Sequence, residues 1–184
     1  MSVRQIVFSN EPILHHSSER VHRVDKEVRQ LVEDMIESMR AAQGIGLAAV
    51  QVGVPQRVIV VEIPASPEDE EEPAETADRE LHILINPEIV STSGEVVEGL
   101  EGCLSIPGWV GEVERPHAVV LEGLDLEGRQ VRIEAEGLLA RVFQHEVDHC
   151  EGILFIDHIE DPEKIWRVEE GQEETIEATQ EIPA

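Results

Sequence analysis

The sequence contains no tyrosine, and its 184 residues include only three phenylalanines and two tryptophans. The core must therefore be built from Val, Ile, Leu and Ala. Basic residues are also few, because 14 Lys and Arg stand against 40 Asp and Glu and leave a net charge of −26. Such an acidic surface repels phosphate backbones, so the composition predicts no direct contact with nucleic acid.

Cysteines and long apolar runs are scarce as well. The two cysteines, Cys103 and Cys150, are too few for the disulfide framework of a small secreted domain. No apolar stretch approaches the ~20 residues that span a bilayer, and the first residues lack a basic segment followed by a long apolar run. The sequence therefore predicts a soluble, cytoplasmic protein in a reducing compartment, without membrane contact.

Hydrophobic periodicity predicts two helices. Residues 24–42 repeat apolar side chains at helical spacing, with Asp25 as the candidate N-cap and Gly44 as the stop. Residues 138–150 show similar spacing, and Gly152 closes this second helix. Strands are predicted at 57–62, at 82–90 and 94–99 around an Asn-Pro turn, and in a hairpin at 117–137 that turns near Glu127-Gly128.

This order of elements predicts a single-domain α+β fold, in which short antiparallel strands pack around the late helix. Two acidic segments interrupt the pattern. Residues 66–80 contain two prolines and no apolar periodicity, which is typical of a surface loop. Residues 161–184 are interpreted as an acidic C-terminal tail, with one short helix predicted around 164–170.

The segment QHEVDH, residues 144–149, carries the strongest chemical signal. His145 and His149 are four positions apart, so both imidazoles lie on one helix face and can bind a single ion. Glu146 can reach a water on that ion without being a ligand, as in the H-E-x-x-H pattern of metal-dependent hydrolases. The alternative is a wet helix end. Apolar neighbours argue against it, since burying these groups unpaired costs about 1–3 kcal/mol per polar group.

A third ligand is needed, and spacing alone leaves it open. Glu160 or His158 could serve from downstream, while Cys103 could serve from the upstream segment EGCLSIPG, residues 101–108. Because each contact would be long-range in the chain, the sequence pattern does not choose between them. The remaining histidines are interpreted as surface or structural groups.

Three segments together resemble the signature motifs of the peptide deformylase family: GIGLAAVQVG at 44–53, EGCLSIPG at 101–108 and QHEVDH at 144–149. They occur in the family's order and at similar separations, and the resemblance covers about residues 24–157. It implies hydrolysis of the N-formyl group from the N-terminal formyl-methionine of nascent bacterial peptides. Residues 1–160 would then form the catalytic domain.

The resemblance also implies the metal site and the proton carrier. Cys103, His145 and His149 would hold one divalent cation, most commonly Fe²⁺, with Zn²⁺, Ni²⁺ or Co²⁺ as alternatives. The cation would lower the pKa of its water, and Glu146 would act as general base and then as general acid. The thiolate ligand would make an iron form sensitive to oxidation.

The same comparison implies how substrate is held. Gln51 and the backbone N–H of Leu104 would bind the formyl oxygen as negative charge develops on it. Four further residues would form the substrate pocket, two of them glycines that let the backbone run close to the substrate: Gly44, Ile45, Gly46 and Leu138.

Some positions depart from the family pattern or support it from outside. Cys150 is interpreted as a packed core thiol. Arg141 lies one turn before His145, near the expected methionine pocket, where an apolar residue is common in the family. Arg115 is predicted to pair with Glu101, and Asp148 to support the helix or a neighbouring ligand.

The tail bears on the partners. Some bacterial relatives dock on the ribosome through a basic C-terminal helix, whereas the tail here is acidic, so we expect weak or differently mediated ribosome contact. Two rival functions remain from the residues alone. One is another metal-dependent amidase or peptidase, and the other is a non-catalytic metal-binding or thiol-switch protein that uses Cys103 and Cys150.

Overall fold

The computed structural model describes residues 2–64 and 79–168, which contain two α-helices, eight strands and four short 3-10 helices. The α-helices are α1 (Lys26–Ala41) and α2 (Gly137–Glu151). The strands are β1 (Gly46–Ala48), β2 (Val58–Pro64), β3 (Arg79–Thr92), β4 (Val96–Cys103), β5 (Ile106–Pro116), β6 (Ala118–Leu124), β7 (Gln130–Glu136) and β8 (Ile165–Arg167). They pair antiparallel in two sheets, one in the order β1-β2-β3-β6-β7 and one in the order β4-β5-β8.

The central strand β2 explains how the layers are arranged. Val58 and Val60 pack against the apolar face of α1, while Ile59 and Val61 point to the opposite face, toward α2. All four side chains are fully buried. Because successive side chains of a strand alternate between its faces, an uninterrupted apolar run is expected for a strand covered on both sides. The predicted α+β fold, with α2 in the centre, is confirmed.

The ends of the helices follow from local chemistry. The Asp25 carboxylate accepts a hydrogen bond from the N–H of Val28 (3.0 Å), so the predicted N-cap of α1 is confirmed. The left-handed residue that ends α1 is Gln43 (φ 55°) rather than the predicted Gly44. The N–H groups of both residues close the helix by donating to carbonyls of its last turn (3.1 and 2.9 Å).

At the end of α2 the prediction is confirmed. Gly152 adopts φ 77°, a conformation that favours glycine. A Cβ atom there would lie 2.6 Å from the backbone nitrogen of His16. The hairpin predicted at 117–137 is also confirmed, as β6 and β7 joined by a turn in which the Asp125 carboxylate accepts two backbone N–H bonds.

Several strand predictions need correction. Asn86 and Pro87 do not form a turn, because β3 continues through them as a bulge, with Asn86 at φ 54° and a register shift between its neighbours. The predicted strand at 94–99 lies in the other sheet, as the first part of β4. Residues 165–167 form strand β8 instead of the predicted helix, and residues 169–170 lie outside the described part.

The acidic loop predicted at 66–80 lies outside the described residues, except that Arg79 and Glu80 already belong to β3. The division between residues 1–160 and a tail at 161–184 stays a prediction. Neither α1 nor α2, the α-helices of the described ranges, has the length and apolar character needed to cross a membrane.

Candidate metal centre and active site

The end of β4 and one face of α2 bring a sulfur and two imidazoles together. Cys103 ends β4, where the register with β5 shifts, and its Sγ lies 3.3 Å from Nε2 of His149. The rings of His145 and His149 stand nearly perpendicular, with centroids 5.0 Å apart. One ligand atom from each of the three residues lies within 4.8 Å of those of the other two. His158 and Glu160, the other candidate ligands, do not belong to this group in the described chain.

The donor set fits a divalent transition-metal ion. One thiolate and two neutral imidazoles are typical ligands of Zn²⁺ and related cations. Nδ1 of His145 lies 2.9 Å from a carboxylate oxygen of Glu101, which leaves its Nε2 to face the cluster. Among the described residues, Oε2 of Glu146 and Nδ1 of His149 are buried without a hydrogen-bond partner. The unpartnered oxygen of Glu146 marks a place where a water belongs, whereas Nδ1 of His149 lies on the other side of its ring from the Nε2 that faces Cys103.

Behind His145 lies a buried ion-pair network. Arg115 donates two hydrogen bonds to Glu101 (2.9 and 3.0 Å) and one to Asp148 (2.6 Å), so the predicted pair of Arg115 and Glu101 is confirmed. Asp148 also contacts Nε2 of His158 (2.7 Å). Burial alone would raise the pKa of Glu101, but hydrogen bonds from His145 and Arg115 outweigh it and lower that pKa well below its ordinary value.

Gln51 is fixed at both ends of its amide. Its oxygen accepts a hydrogen bond from the backbone N–H of Ala48 (2.8 Å), and its nitrogen donates to Oγ of Ser105 (3.2 Å) and to Sγ of Cys103 (3.5 Å). Because a backbone N–H can only donate, the amide oxygen must face Ala48 and the nitrogen must face the cluster. Ser105 is fully buried and was not singled out from the sequence, where a serine in a glycine- and proline-bounded segment carries no distinct signal.

Glu146 is 3% exposed, and its carboxylate lies beside Gly46, the last residue of the segment 44–46 that we call the GIG segment. Burial raises the pKa of Glu146 to about 7; His145 opposes that shift and the negative charges of Glu101 and Asp148 add to it. A Cβ atom at Gly46 would lie 2.9 Å from the carboxyl carbon of Glu146. The absence of a side chain at Gly46 therefore gives Glu146 its position.

Two of the predicted substrate residues, Gly44 and Gly46, lie against residues of this centre. A Cβ atom at Gly44 would come within 2.8 Å of a methyl group of Leu104, the residue that follows Cys103. Ile45 and Leu138 are half-buried and pack on the apolar cluster around α2. The structure thus brings the three ligand atoms together with Gln51 beside Cys103, and the roles of all these residues toward substrate stay predictions.

The structure also shows the surroundings of two further residues of α2, Cys150 and Arg141. Cys150 is fully buried, and burial raises the pKa of its thiol to about 12, in keeping with a packed core thiol. The position of Arg141, one turn before His145, suggested that its charge would lie near the methionine pocket. Instead, the side chain is directed toward the three-stranded sheet. Its guanidinium donates to Glu101 (2.9 Å) and to carbonyls of β4 and β5. Helical spacing predicts which face of α2 carries Arg141, but it does not predict the direction of the long side chain.

A family model described as "Polypeptide deformylase" matches residues 3–165 of this chain. The peptide deformylase of Thermomicrobium roseum is 53% identical over 178 residues, which cover 97% of this chain and 98% of that protein. The peptide deformylase of Phenylobacterium zucineum is 46% identical over 159 residues, covering 86% and 89% of the two chains. This chain belongs to the peptide deformylase family.

Solved structures of deformylases share the fold. The crystal structure of peptide deformylase from Ehrlichia chaffeensis superimposes with a TM-score of 0.78 at 41% identity, covering 87% of this chain and 89% of that one. A structure of peptide deformylase from the same organism in complex with actinonin gives a TM-score of 0.79 at 43% identity, covering 88% and 91%. The chain is thus a hydrolase of the deformylase family, whose members remove the N-formyl group from nascent peptides.

Proposed function

We propose that this deformylase removes the formyl group from N-terminal formyl-methionine with one divalent cation held by Cys103, His145 and His149. The observation that carries the proposal is the convergence of these three ligand atoms within 4.8 Å beside a buried carboxylate. When bound, the cation supplies Lewis acidity, which lowers the pKa of water enough to provide a nucleophile near neutral pH. The protein's own residues transfer the proton and bind the substrate.

Glu146 carries the proton. Its carboxylate is buried next to both histidines and has one oxygen without a hydrogen-bond partner among the described residues, so it is available to an incoming water. A buried carboxylate at this place can take a proton from that water and return it to the leaving amine. The products are formate and a free N-terminal amine.

Gln51 and Leu104 hold the formyl oxygen. The nitrogen of the Gln51 amide points toward the cluster, and its orientation is enforced by the N–H of Ala48. The backbone N–H of Leu104 follows the ligand Cys103 directly and is fixed by the tight connection between β4 and β5. Donors that are positioned before reaction stabilise negative charge on the attacked oxygen without further rearrangement.

The GIG segment and the start of α2 bind the methionyl part of the substrate. Gly44 and Gly46 pack against Leu104 and Glu146, so a peptide backbone can approach the reacting centre without a side chain between them. Ile45 and Leu138 are half-buried and apolar, which suits the wall of a pocket for the methionine side chain.

Iron(II) is the cation that we favour, with Zn²⁺, Ni²⁺ and Co²⁺ as the alternatives. A thiolate with two imidazoles accepts all four ions, so metal analysis of protein purified without oxygen decides between them. We also propose a cytoplasmic location, since formylated nascent peptides are made there. Ribosome contact through the acidic tail, residues 161–184, is expected to be weak because like charges repel.

A comparison of three peptides tests the function. A formylated Met-Ala peptide should be hydrolysed, while its acetylated and unmodified forms should not, because a crowded centre admits the smallest acyl group best. Glu146→Ala should retain the cation and lose turnover. Efficient hydrolysis of the acetylated peptide would favour a general amidase. Turnover that survives Glu146→Ala would refute the role of Glu146.

A further inference from the structure

Arg141 reaches from α2 across to the three-stranded sheet. Its Nη1 donates to Oε1 of Glu101 (2.9 Å) and to the carbonyl of Val113 on β5 (2.9 Å), and its Nη2 donates to the carbonyl of Val97 on β4 (2.7 Å). The side chain is only 11% exposed. With a longer hydrogen bond from Nη1 to the carbonyl of Gly99 (3.4 Å), four contacts to two strands hold this guanidinium in one orientation.

The carboxylate of Glu101 is fully used by its neighbours. Oε1 accepts hydrogen bonds from Arg115 and Arg141 (both 2.9 Å), and Oε2 contacts Arg115 (3.0 Å) and Nδ1 of His145 (2.9 Å). Arg115 lies on β5, whereas Arg141 and His145 lie four residues apart on α2. Arg141 thus contacts Glu101 directly from α2, as His145 does, while Arg115 joins Glu101 to α2 through Asp148.

Gly99 on β4 makes room for this arrangement. A Cβ atom there would lie 2.9 Å from both Cζ and Nη2 of Arg141. Gly99 is paired with Val113, whose carbonyl accepts from the same guanidinium. Because the backbone of Gly99 is not left-handed, alanine can replace it without backbone strain and would act mainly by pushing the guanidinium away.

We propose that Arg141 is a positioning residue that holds the Glu101 carboxylate in place on α2, so that the His145 ring keeps its Nε2 directed at Cys103 and His149. This inference rests on the proposed metal site and extends it to a residue that touches none of the three ligands. Without Arg141, only Arg115 holds the carboxylate against His145, so the carboxylate and the ring are less firmly oriented. Ligands whose outer partners are removed typically lose roughly 10- to 100-fold in metal affinity.

Cobalt(II) provides the test, because its visible absorption reports ligand geometry. The wild-type protein and the variants Arg141→Met and Arg141→Lys are loaded with Co²⁺ without oxygen, and the spectrum and the release of Co²⁺ to a chelator are measured. Arg141→Met should alter the spectrum and release Co²⁺ roughly 10- to 100-fold faster. Arg141→Lys should recover part of the loss, since an ammonium can donate to Glu101 but cannot also reach both strands.

The matched control is Arg57→Met. Arg57 is equally buried, at 11% exposure, and donates to Glu151 at the end of α2 and to the carbonyl of Pro87, but not to Glu101 or to a ligand. This variant should lose stability but keep the cobalt spectrum and the release rate. If Arg141→Met lowers only the melting temperature in the same way, Arg141 merely joins helix to sheet and the proposal is overturned.

Gly99→Ala gives an independent second variant. It should change the spectrum and release rate in the direction of Arg141→Met, and it should add nothing when Arg141 is already Met. Additive effects would contradict the proposed contact. If Arg141→Met does not fold, Arg141→Lys and Gly99→Ala decide the question. If the wild-type protein binds no cobalt at one equivalent, the proposed metal site itself is contradicted. If all variants bind cobalt normally, only the proposed role of Arg141 is contradicted.

Discussion

Oε2 of Glu101 lies 2.9 Å from Nδ1 of His145, and this contact joins the strand that carries Cys103 to the helix that carries both histidines. Glu101 lies two residues before Cys103 on β4, so one short piece of chain provides the sulfur and orients an imidazole opposite it. The geometry of the cluster therefore depends on a carboxylate that is not a ligand. Removing the Glu101 carboxylate should therefore show how strongly the geometry of the cluster depends on its charged contacts.

Glu101→Ala should destabilise the protein by roughly 3–5 kcal/mol, because it leaves two buried guanidiniums without their shared carboxylate. Urea unfolding measures this loss, and metal analysis of the purified variant should show that less cation is bound. Glu98→Ala is the control on the same strand. The Glu98 carboxylate is exposed and pairs with Lys164, so its removal should cost no more than about 1 kcal/mol and leave the metal content unchanged.

Gly46→Ala should lower kcat/KM by about 10²-fold or more, since the new methyl group would displace the Glu146 carboxylate and press on Val142. Metal content should remain close to that of the wild type. Gly94→Ala is a suitable control, because a Cβ atom at Gly94 meets nothing within 4 Å. Equal activities of the two variants would show that Glu146 does not need its present position.

Gln51→Ala should lower kcat by about 10²–10³-fold with little change in metal content, as expected for the loss of one donor to the attacked oxygen. Steady-state kinetics on a formylated peptide measure the effect. Gln56→Ala, at a half-buried position five residues later, should leave kcat unchanged. A higher KM with an unchanged kcat would instead show that Gln51 contributes to substrate affinity rather than to the transition state.

Glu62 gives a pH prediction away from the metal centre. A hydrogen bond from Arg40 lowers the pKa of the Glu62 carboxyl below its ordinary value of 4.5. The pair therefore contributes stability in full above the unfolded-state pKa and loses it as the pH falls through the folded-state pKa. Glu62→Gln should cost about 1 kcal/mol at pH 7, and the difference from the wild type should shrink at pH values below 4.5.

Comparing the two proteins at each pH removes the contribution of other titrating groups. Unfolding free energies at pH 7 and at acid pH give the two differences that are needed. A difference that grows toward acid pH would mean that the Glu62 carboxyl is stabilised in its neutral form. That result would reverse the sign assigned to the Arg40 contact.

Oxidation should distinguish the metal forms. The Fe²⁺ form should lose activity in air, because iron and its thiolate ligand are open to oxidation, while Ni²⁺ and Zn²⁺ forms should resist. Activity is followed over time in air and under nitrogen for each reconstituted form. Decay at the same rate for every metal would argue against a redox-sensitive centre built on Cys103.

The parts of the site that lie on one helix could be predicted from the sequence, since the spacing of His145 and His149 fixes their common face. The third ligand could not be chosen by spacing, because Cys103 and His149 meet across 46 positions of chain. Family resemblance favoured Cys103, and the geometry places its sulfur in the cluster. Ser105 went unnoticed for a similar reason, since its partner Gln51 is 54 residues away.

The fold shows the same division between local and distant information. Caps, the β6–β7 hairpin and the buried run of β2 follow from neighbours in the chain. Strand β5 was missed because Pro107, Gly108 and Gly111 break its apolar pattern, and its stability comes from pairing with β4 and β8. The Asn86-Pro87 bulge was read as a turn, because turn residues and bulge residues share the same backbone preferences.

Strand β8 has a practical consequence for shortened forms of the protein. It covers the outer side of β5, and the N–H of Val168 continues the contact by donating to the carbonyl of Gly108 (3.0 Å). A chain cut at residue 160 would leave β5 as an open sheet edge, whose unpaired backbone groups could recruit a second molecule. A truncation of the acidic tail should therefore keep all residues through Val168. Otherwise, self-association would be mistaken for an effect of the lost negative charge.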